Sequence, residues 1–466
     1  MQEPCHSYLL PIGGTATAAL AGLLVEVGER VSGVDSVLYP PTSELLAELG
    51  VPVRLGYDPA GIPPDCDRVI IGNAVPAHNV EVQAVLQRGL PCTSQAAAFG
   101  ERFCRRAQSV VVAGTHGKTT TTALAAHLLT AGGLDPTVLI GGVPRGGKPW
   151  RLGHGGWTVV EGDEYNTAFF DRGPKFLHYY PHLFVVGNVE FDHGDIYVDL
   201  DAIMAAFRAG LAVVPPAGRV VANAGDAGAR EVARGHPRVI WYGCEAGADL
   251  RCTSWTSAEN GLRAELEWAG HLFAVETPLV GRHNLDNLLA ACACALLAGL
   301  APEALARAAP TFPGVRRRLE LLGEEAGIAV VDDFAHHPTA VRLTLEGARA
   351  RFPGRRLVVA FEPRSLTAGR ALFAERYVEA LAMADCAVIA PVFHRKRLAP
   401  DELLDREELA RRIEARGREA LVVPDDEDPL PHMLRVLRAG DVVVCMSSGD
   451  FGGLPRRLLE SLRGRE

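Results

Sequence analysis

The chain has 466 residues, of which 48% are hydrophobic and 22% are charged, and its formal net charge is −9. This length exceeds what one hydrophobic core organises, and at about 100–200 residues per domain it predicts about three domains. The composition is that of a globular protein, and the negative charge argues against a nucleic-acid binder that relies on a general positive field.

The N-terminal part, residues 7–106, alternates short apolar runs with helical patterns, which predicts a parallel sheet with helical crossovers. A Gly13-Gly14-Thr15 turn follows the first predicted strand, YLLPI, and Asp35 ends the second. Such a turn is either only a tight turn or a site for a nucleoside diphosphate group in a degenerate dinucleotide-type fold.

A phosphate-binding pattern follows. Residues 110–122 read VVVAGTHGKTTTT, so an apolar strand runs into a glycine-rich turn and then into a helical pattern. In such a turn backbone N–H groups point at phosphate oxygens, Lys118 supplies a positive charge, and the Thr119 hydroxyl can reach Mg²⁺. GTHGKT is shorter than the usual GxxxxGK[ST] form. The pattern predicts a nucleoside triphosphate site and therefore ATP or GTP chemistry.

Two acidic clusters follow apolar runs of the central part. Glu161 and Asp163 come after TVV, where they suit Mg²⁺ or form a solvated turn. The segment NVEFDHGD follows LFVVG and contains Asn188, Glu190, Asp192 and His193. A single histidine is commonly structural, but one among carboxylates at a strand end can ligate a metal.

Two further polar segments have two interpretations each. Gly281-Arg282-His283-Asn284 precedes an apolar helix, so its side chains either bind a ligand or cap that helix. The run 316–318, three arginines after Pro313 and Gly314, is either a solvated charged run or the source of one arginine that clamps a transferring phosphate. Beyond this hinge, five apolar runs separated by helical patterns predict five buried strands.

No segment predicts membrane contact or secretion. The N-terminus has no lysine or arginine and only a short apolar run, and the alanine-rich apolar stretch 288–301 is below the ~18 residues of a membrane-spanning helix. That stretch predicts a buried alanine-rich helix. The ten cysteines include no CxxC pair, which indicates reduced core thiols. We expect a cytoplasmic protein.

Six ordered motifs carry a family resemblance. GTHGKTTT, EGDEY, NVEFDH, GRHN, RRRLE and DDFAHHP occur in the order seen in the Mur ligases, the ATP-dependent amide-forming enzymes of peptidoglycan synthesis, and the resemblance covers essentially the whole chain. It implies an α/β protein of three domains. These are an N-terminal Rossmann-like domain for the UDP-sugar (1–106), a central P-loop ATPase domain (107–313) and a C-terminal Rossmann-like domain for the peptide (314–466).

The resemblance also implies residue roles. As catalytic residues it implies Lys118, Glu161, His193 and Arg318, with Thr119, Glu161 and His193 as ligands of Mg²⁺. Nucleotide contacts are implied for Gly114, Thr115, His116, Gly117, Lys118, Thr119, Thr120, His283, Asn284, Arg318 and Asp333. Contacts with the other substrates are implied for Gly14, Thr15, Asp35, Asn73, Asn188, His336, His337, Arg364, Ser365, Ser447 and Gly449.

Within the family, the segments FEPRSLTAGR and CMSSGDFGGL resemble the branch that attaches the recycled tripeptide L-Ala-γ-D-Glu-meso-diaminopimelate to UDP-N-acetylmuramate through an acyl phosphate. Addition of L-alanine is the sibling alternative, and a nucleotide-binding regulator that has lost ligation is an alternative of another class. The expected cofactors are ATP and Mg²⁺. The expected partners are UDP-N-acetylmuramate and a murein peptide, in a monomer or weak homodimer, without nucleic acid or membrane.

Overall fold

A computed structural model describes residues 4–192, 194 and 196–464. Most described strands belong to three sheets, each of which lies within one of the three predicted domain ranges. The three-domain α/β architecture expected from the sequence is confirmed, while the predicted boundaries themselves stay a prediction. No helix among the described residues is long and apolar enough to cross a bilayer.

The N-terminal sheet has five parallel strands in the order β3-β2-β1-β4-β5. Its strands are β1 His6–Leu10, β2 Arg30–Asp35, β3 Val53–Leu55, β4 Arg68–Ile71 and β5 Cys92–Ser94. Its helices are α1 Thr15–Glu26, α2 Thr42–Glu48, α3 Val80–Gln87 and α4 Gln95–Phe99, and α4 continues into a π-helical turn, Gly100–Cys104. The strand order reverses between β1 and β4, and open α/β sheets bind ligands at the carboxyl ends of the strands beside such a point.

The central sheet has ten strands in the order β17-β16-β15-β14-β13-β12-β6-β9-β7-β8. Its strands, with the separate hairpin β10–β11, are β6 Gln108–Ala113, β7 Thr137–Leu139, β8 Trp150–Arg151, β9 Trp157–Glu161, β10 Asn166–Ala168, β11 Asp171–Pro174, β12 Pro181–Val186, β13 Arg219–Asn223, β14 Val239–Gly243, β15 Leu250–Ala258, β16 Gly261–Trp268 and β17 His271–Thr277. Its helices are α5 Lys118–Ala131, α6 Leu200–Ala212, α7 Ala227–Ala233, α8 Arg282–Leu297 and α9 Pro302–Ala308.

The C-terminal sheet has six strands in the order β18-β19-β23-β20-β21-β22, with only β18 antiparallel to its neighbour. Its strands are β18 Glu320–Glu325, β19 Ile328–Asp333, β20 Arg356–Phe361, β21 Cys386–Ile389, β22 Glu419–Val422 and β23 Asp441–Met446. Its helices are α10 Pro338–Arg351, α11 Ala374–Leu381, α12 Arg406–Glu414, α13 Pro429–Val436 and α14 Leu454–Arg463. The five predicted strands are all present.

The predicted alanine-rich helix is α8, which packs against α5 in the centre of the molecule. Twelve of its sixteen residues are buried, including Cys292 and Cys294. Because α5 begins directly after the phosphate loop and α8 begins at the GRHN segment, their packing brings these two motifs together.

Candidate active site

The predicted phosphate loop lies between β6 and α5, at the carboxyl end of a buried parallel strand. Gly117 adopts a left-handed backbone with φ 79°, and a Cβ there would lie 2.3 Å from Asn287 Oδ1. The turn therefore requires glycine at this position. Asn287 is held by the Thr121 hydroxyl, which donates to its Oδ1 at 3.0 Å, so α8 fixes the shape of the loop.

The loop lysine is bound to protein acceptors. Lys118 Nζ lies 2.9 and 2.8 Å from the two carboxylate oxygens of Glu164, and it also donates to the carbonyl oxygens of Gly114 at 2.8 Å and Thr115 at 3.3 Å. Burial alone would lower the pKa of Lys118, but the carboxylates of Glu164, Asp163 and Glu161 together outweigh burial and the pKa is raised. The lysine is thus charged, and a phosphate must compete with Glu164 for it.

The hydroxyl oxygen of Thr119 and a carboxylate oxygen of Glu161 are spaced to bind one Mg²⁺ ion. Thr119 Oγ1 donates to Glu161 Oε1 at 3.1 Å, and Glu161 Oε2 accepts from the Gly141 N–H at 2.9 Å. Adjacent ligands of an octahedral Mg²⁺ at about 2.0–2.1 Å lie about 2.9 Å apart, close to the observed oxygen separation. Burial raises the pKa of Glu161 despite the nearby Lys118, so this carboxylate gains from a cation. The third predicted Mg²⁺ ligand, His193, lies outside the described residues.

Asp163, the other acidic candidate after β9, has a different environment. Its Oδ2 accepts from Lys175 Nζ at 2.7 Å. Glu161 and Asp163, at the end of β9, therefore have different partners. Glu161 contacts Thr119 of the phosphate loop, whereas Asp163 contacts Lys175 in the turn before β12.

The segment after β12 wraps around the loop. Asn188 Oδ1 accepts from the His116 N–H at 2.7 Å, and its Nδ2 donates to the His116 carbonyl at 3.1 Å. The Glu190 N–H donates to Thr115 Oγ1 at 2.9 Å. Asn188, predicted to contact substrate, thus contacts the phosphate loop directly.

The GRHN segment forms the first turn of α8. Asn284 is buried, donating to the Val280 carbonyl at 2.8 Å and accepting from Asn287 Nδ2 at 2.9 Å. His283 Nδ1 is buried without a hydrogen-bond partner among the described residues. Burial, with Arg318 and Arg342 nearby, lowers the pKa of His283 to about 4, so the ring is neutral near pH 7. An imidazole of this kind has a polar atom free for a ligand.

The three consecutive arginines have different environments. Arg316 is exposed, whereas Arg317 and Arg318 are partly buried, so the solvated interpretation of this run holds only for Arg316. Arg318 Nη2 donates to Thr119 Oγ1 at 3.1 Å, and its guanidinium lies 4.8 Å from the centre of the Phe334 ring. A cation from the hinge therefore reaches the proposed metal ligands.

Asp333 ends β19 and organises the chain around Arg318. Its carboxylate accepts from the N–H groups of Leu319 at 2.6 Å and Ala335 at 2.7 Å, and from the Thr344 hydroxyl at 3.2 Å. Asp333, a predicted nucleotide contact, is thus a buried residue whose oxygens already have protein donors. Burial raises its pKa even though Arg318 opposes the shift.

A cleft of about 1310 Å³ joins the three domains. Seventeen predicted site residues line it: Gly14, Thr15, Asn73, Thr115, His116, Gly117, Lys118, Thr119, Thr120, Glu161, Asn188, His283, Asn284, Arg318, Asp333, His336 and Ser365. The cleft thus brings the N-terminal turn, the phosphate loop and the hinge arginine to one space. A site between domains is where ligand clefts commonly form.

Six predicted site residues are not part of the described lining: Asp35, Gly114, His337, Arg364, Ser447 and Gly449. Asp35 instead accepts from the Gly13 N–H at 2.8 Å, which shapes the turn after β1. Arg364 Nη1 lies 3.1 Å from Asp450 Oδ1, and Ser447 Oγ donates to Glu362 Oε2 at 2.5 Å. These groups shape the walls behind the lining.

Comparisons with known proteins decide the family. The family models match residues 6–106 (Mur ligase family, catalytic domain), 157–295 (Mur ligase middle domain) and 317–449 (Mur ligase, glutamate ligase domain). The UDP-N-acetylmuramate--L-alanyl-gamma-D-glutamyl-meso-2,6-diaminoheptandioate ligase of Escherichia coli (strain K12) is 36% identical over 98% of both chains. The chain belongs to the Mur ligase family. The predicted family is confirmed, and the protein is an ATP-dependent ligase that forms C–N bonds in peptidoglycan synthesis.

Two branches of the Mur ligase family are similar to the chain to nearly the same degree. The UDP-N-acetylmuramate--L-alanine ligase of Burkholderia mallei (strain SAVP1) is 35% identical, covering 98% of this chain and 97% of its own. Among solved structures, a murein peptide ligase from Psychrobacter arcticus 273-4 has 31% identity and a TM-score of 0.76, with 99% of both chains covered. Overall sequence identity therefore does not distinguish the tripeptide from L-alanine as the acceptor.

Sequence reasoning missed several Mur ligase residues that complete the site. Glu164, Asn287, Thr339 and Arg376 contact Lys118, Gly117 and Glu190, yet none stood out in the sequence. Glu164 lies in the same EGDEYN motif as Glu161, which was a usable signal. Thr339 and Arg376 come next to Glu190 only through the docking of the C-terminal domain.

Proposed function

We propose that this Mur ligase joins the tripeptide L-Ala-γ-D-Glu-meso-diaminopimelate to UDP-N-acetylmuramate at the expense of ATP, in peptidoglycan recycling. The observation that carries the tripeptide over alanine is the cleft lining, which includes Ser365 of the FEPRSLTAGR segment and Ser448 and Asp450 of the CMSSGDFGGL segment. An enzyme named for that ligation is 36% identical over 98% of the chain, which supports the same choice. The proposal includes Mg²⁺ as cofactor, the domain ranges and residue roles given above, and a cytoplasmic location, because ATP and a UDP-sugar are the substrates.

In the first step, the γ-phosphoryl group of ATP passes to the lactyl carboxylate of UDP-N-acetylmuramate. Phosphorylation is needed because a carboxylate is a poor electrophile and has no good leaving group. Lys118 exchanges Glu164 for phosphate oxygens. Thr119 and Glu161 would hold Mg²⁺, which would supply neutralising charge when bound. Arg318, which lies 3.1 Å from Thr119 Oγ1, stabilises the transferring group.

In the second step, the α-amine of the peptide attacks the acyl phosphate, the amide bond forms and inorganic phosphate leaves. The amine must be neutral to attack, and water must be kept out, because it would hydrolyse the acyl phosphate. Positioning by the C-terminal domain supplies much of the rate, since it turns a bimolecular reaction into one within a complex.

The C-terminal part of the cleft favours an acceptor larger than alanine. Its lining continues from Ser365 to Ser448, Asp450 and Arg456, which belong to the turn before α14 and its first residues. Both signs of charge occur there, as a peptide with carboxylates and a distal amine requires. Alanine addition stays the second candidate because an alanine ligase is 35% identical to this chain.

The test is phosphate release with ATP, Mg²⁺ and UDP-N-acetylmuramate, comparing the tripeptide with L-alanine and identifying the product by mass. We expect an amide product with the tripeptide and none with alanine. An amide product with L-alanine but not with the tripeptide would show that the protein is an alanine-adding ligase. Absence of product with both acceptors would favour the nucleotide-binding regulator.

A further inference from the structure

The segment that follows β12 contacts the phosphate loop on one side. Thr115 Oγ1 accepts from the Glu190 N–H at 2.9 Å and donates to the Glu190 carbonyl at 3.3 Å. The Thr115 N–H also donates to the Asn188 carbonyl at 2.9 Å. The backbone of Glu190 is therefore tied to the loop residue that lines the cleft, and a change in the loop moves Glu190.

The side chain of Glu190 reaches the C-terminal domain on the other side. Its Oε2 accepts from the Thr339 hydroxyl at 2.7 Å and from Arg376 Nη2 at 3.0 Å. Arg376 Nη2 also donates to Thr339 Oγ1 at 2.6 Å, so the three groups form a closed triangle. Thr339 lies in the first turn of α10 and Arg376 lies in α11, so one carboxylate oxygen holds two helices of that domain.

Packing follows the same path. The Phe191 side chain packs against both the cluster of buried residues in the first two domains and the cluster in the C-terminal domain. The His116 ring of the phosphate loop lies 4.8 Å from the ring of His337, which caps α10. The loop, residues 188–191 and the start of α10 thus form one contact layer.

The carboxylate remains charged throughout the neutral range. Burial alone would raise the pKa of Glu190, but His116, Thr339 and Arg376 outweigh burial and hold that pKa well below its ordinary value. The donor atoms of His116, Glu190 and His337 also lie within 4.8 Å of one another, as in a metal site. The Arg376 guanidinium on Glu190 Oε2 opposes a cation there, so the geometry favours an ion-pair role.

We infer that Glu190 is a positioning residue that couples the state of the phosphate loop to the placement of the C-terminal domain. When ATP orders the loop, Glu190 carries that change through Thr339 and Arg376 to α10 and α11, and the domain brings the acceptor to the acyl phosphate. This inference rests on the proposed function only in the identity of the acceptor.

The test uses Thr339→Val, Arg376→Met and Glu190→Gln in the full-length enzyme, with Arg416→Met as matched control. Arg416 pairs with Glu375 inside the C-terminal domain, and its side chain is 40% exposed against 46% for Arg376. We expect each test variant to raise the acceptor KM about ten-fold while the Kd of a nonhydrolysable ATP analogue, measured without acceptor, stays unchanged. The control should match wild type.

The double variant Glu190→Gln/Arg376→Met separates coupling from two independent defects. Coupled residues predict about a ten-fold rise in acceptor KM, as in each single variant, whereas a rise of about a hundred-fold would overturn the inference. Unchanged acceptor KM in both Thr339→Val and Arg376→Met would also overturn it, and these two substitutions test it even if Glu190→Gln does not fold.

A second readout does not depend on turnover. Small-angle scattering with the ATP analogue, Mg²⁺ and UDP-N-acetylmuramate should show a smaller radius of gyration for wild type and Arg416→Met than for Arg376→Met. Equal compaction in all three proteins would overturn the inference. If wild type joins no acceptor yet compacts in this way, the proposed function fails while the coupling stands.

Discussion

At the scale of single residues, Lys118 is surrounded by acceptor atoms of the protein itself. Its ammonium group has three N–H donors, and four acceptor atoms surround it within 3.3 Å. Triphosphate binding must therefore replace existing bonds, above all the ion pair with Glu164. The binding free energy of ATP therefore includes the difference between the free energy of the Lys118–phosphate bonds and that of the Lys118–protein bonds they replace.

Replacing Glu164 with glutamine should tighten ATP binding. A neutral amide holds Lys118 less strongly than a carboxylate by about 1 kcal/mol, which corresponds to an about five-fold lower Kd. The measurement is calorimetric titration with a nonhydrolysable ATP analogue. Glu101→Gln, which alters an exposed pair with Arg105, is the control and should bind like wild type. Equal or weaker binding by Glu164→Gln would contradict this account.

His283 predicts a pH dependence of stability. Its pKa is about 4 in the folded protein against an ordinary 6.5, so between these values the unfolded chain binds more protons. The contribution of His283 to stability is therefore complete above about pH 6.5 and is lost as the pH falls toward about 4.

His283→Gln should remove this contribution to the pH dependence. We expect the thermal midpoint of wild type to fall more between about pH 7.5 and about pH 5 than that of the variant, because glutamine does not titrate. Thermal unfolding of both proteins in matched buffers measures the difference. Parallel pH profiles would show that the His283 ring is not held neutral by burial.

At the scale of elements, the packing of α8 on the phosphate loop constrains Gly117. A methyl group there would displace Asn287 Oδ1, and the Asn287 amide is buried and bonded to Thr121 and Asn284. Gly133, just after α5, has a similar φ of 83°, but a Cβ there would meet no described atom within 4 Å. Alanine at each of the two positions therefore separates the cost of backbone strain, present at both, from the cost of collision with Asn287, present only at Gly117.

Gly133→Ala should lose about 1–2 kcal/mol of stability, because alanine is disfavoured in the left-handed region, and Gly117→Ala should lose about 1–3 kcal/mol more, because the collision breaks a buried hydrogen bond. Only Gly117→Ala should also weaken binding of the ATP analogue, by roughly ten-fold, because the collision changes the shape of the phosphate loop. Thermal unfolding and calorimetric titration measure the two effects. Equal nucleotide affinity in both variants would refute the role of Asn287.

Elements that are uniformly apolar were predictable from the sequence, and elements with mixed patterns were not. The five C-terminal apolar runs became β19 to β23, and four of them are buried because parallel strands covered on both faces need continuous apolar sequence. The prediction of a buried strand was wrong for β22, which lies at the edge of the sheet and is only partly covered. The edge strand β18 has the sequence ELLGEE and is largely outside the core, so it has no continuous apolar run from which it could be predicted. The antiparallel strands β15 to β17 were missed for a similar reason, since each mixes polar with apolar residues and is only partly buried.

At the scale of the whole molecule, the proposed mechanism uses a cation from the hinge before the C-terminal sheet that contacts the phosphate loop of the central sheet. Arg318 precedes β18 and donates to Thr119 in the first turn of α5. Lysine at this position keeps the charge but lacks the planar fork and the favourable stacking on Phe334. The interdomain contact therefore depends on the shape of the guanidinium as well as on its charge.

Arg318→Lys should reduce turnover about a hundred-fold, the usual effect of removing one donor from developing charge, and leave the Kd of the ATP analogue within about three-fold. Steady-state phosphate release and calorimetric titration measure the two quantities. Arg307→Lys on the exposed side of α9 is the control. Wild-type turnover in Arg318→Lys would remove Arg318 from the catalytic step.

The sequence by itself determined the family, the three-part α/β architecture and the phosphate loop. These features depend on continuous motifs, because a strand, a glycine turn and a helix start that form one loop are adjacent in the chain. The contacts of that loop were decided by the tertiary structure alone. Glu164 pairs with Lys118, Asn287 limits Gly117, and Glu190 meets Arg376 across 186 residues of sequence. Such contacts depend on how helices and domains pack, and local sequence patterns do not encode packing between distant segments.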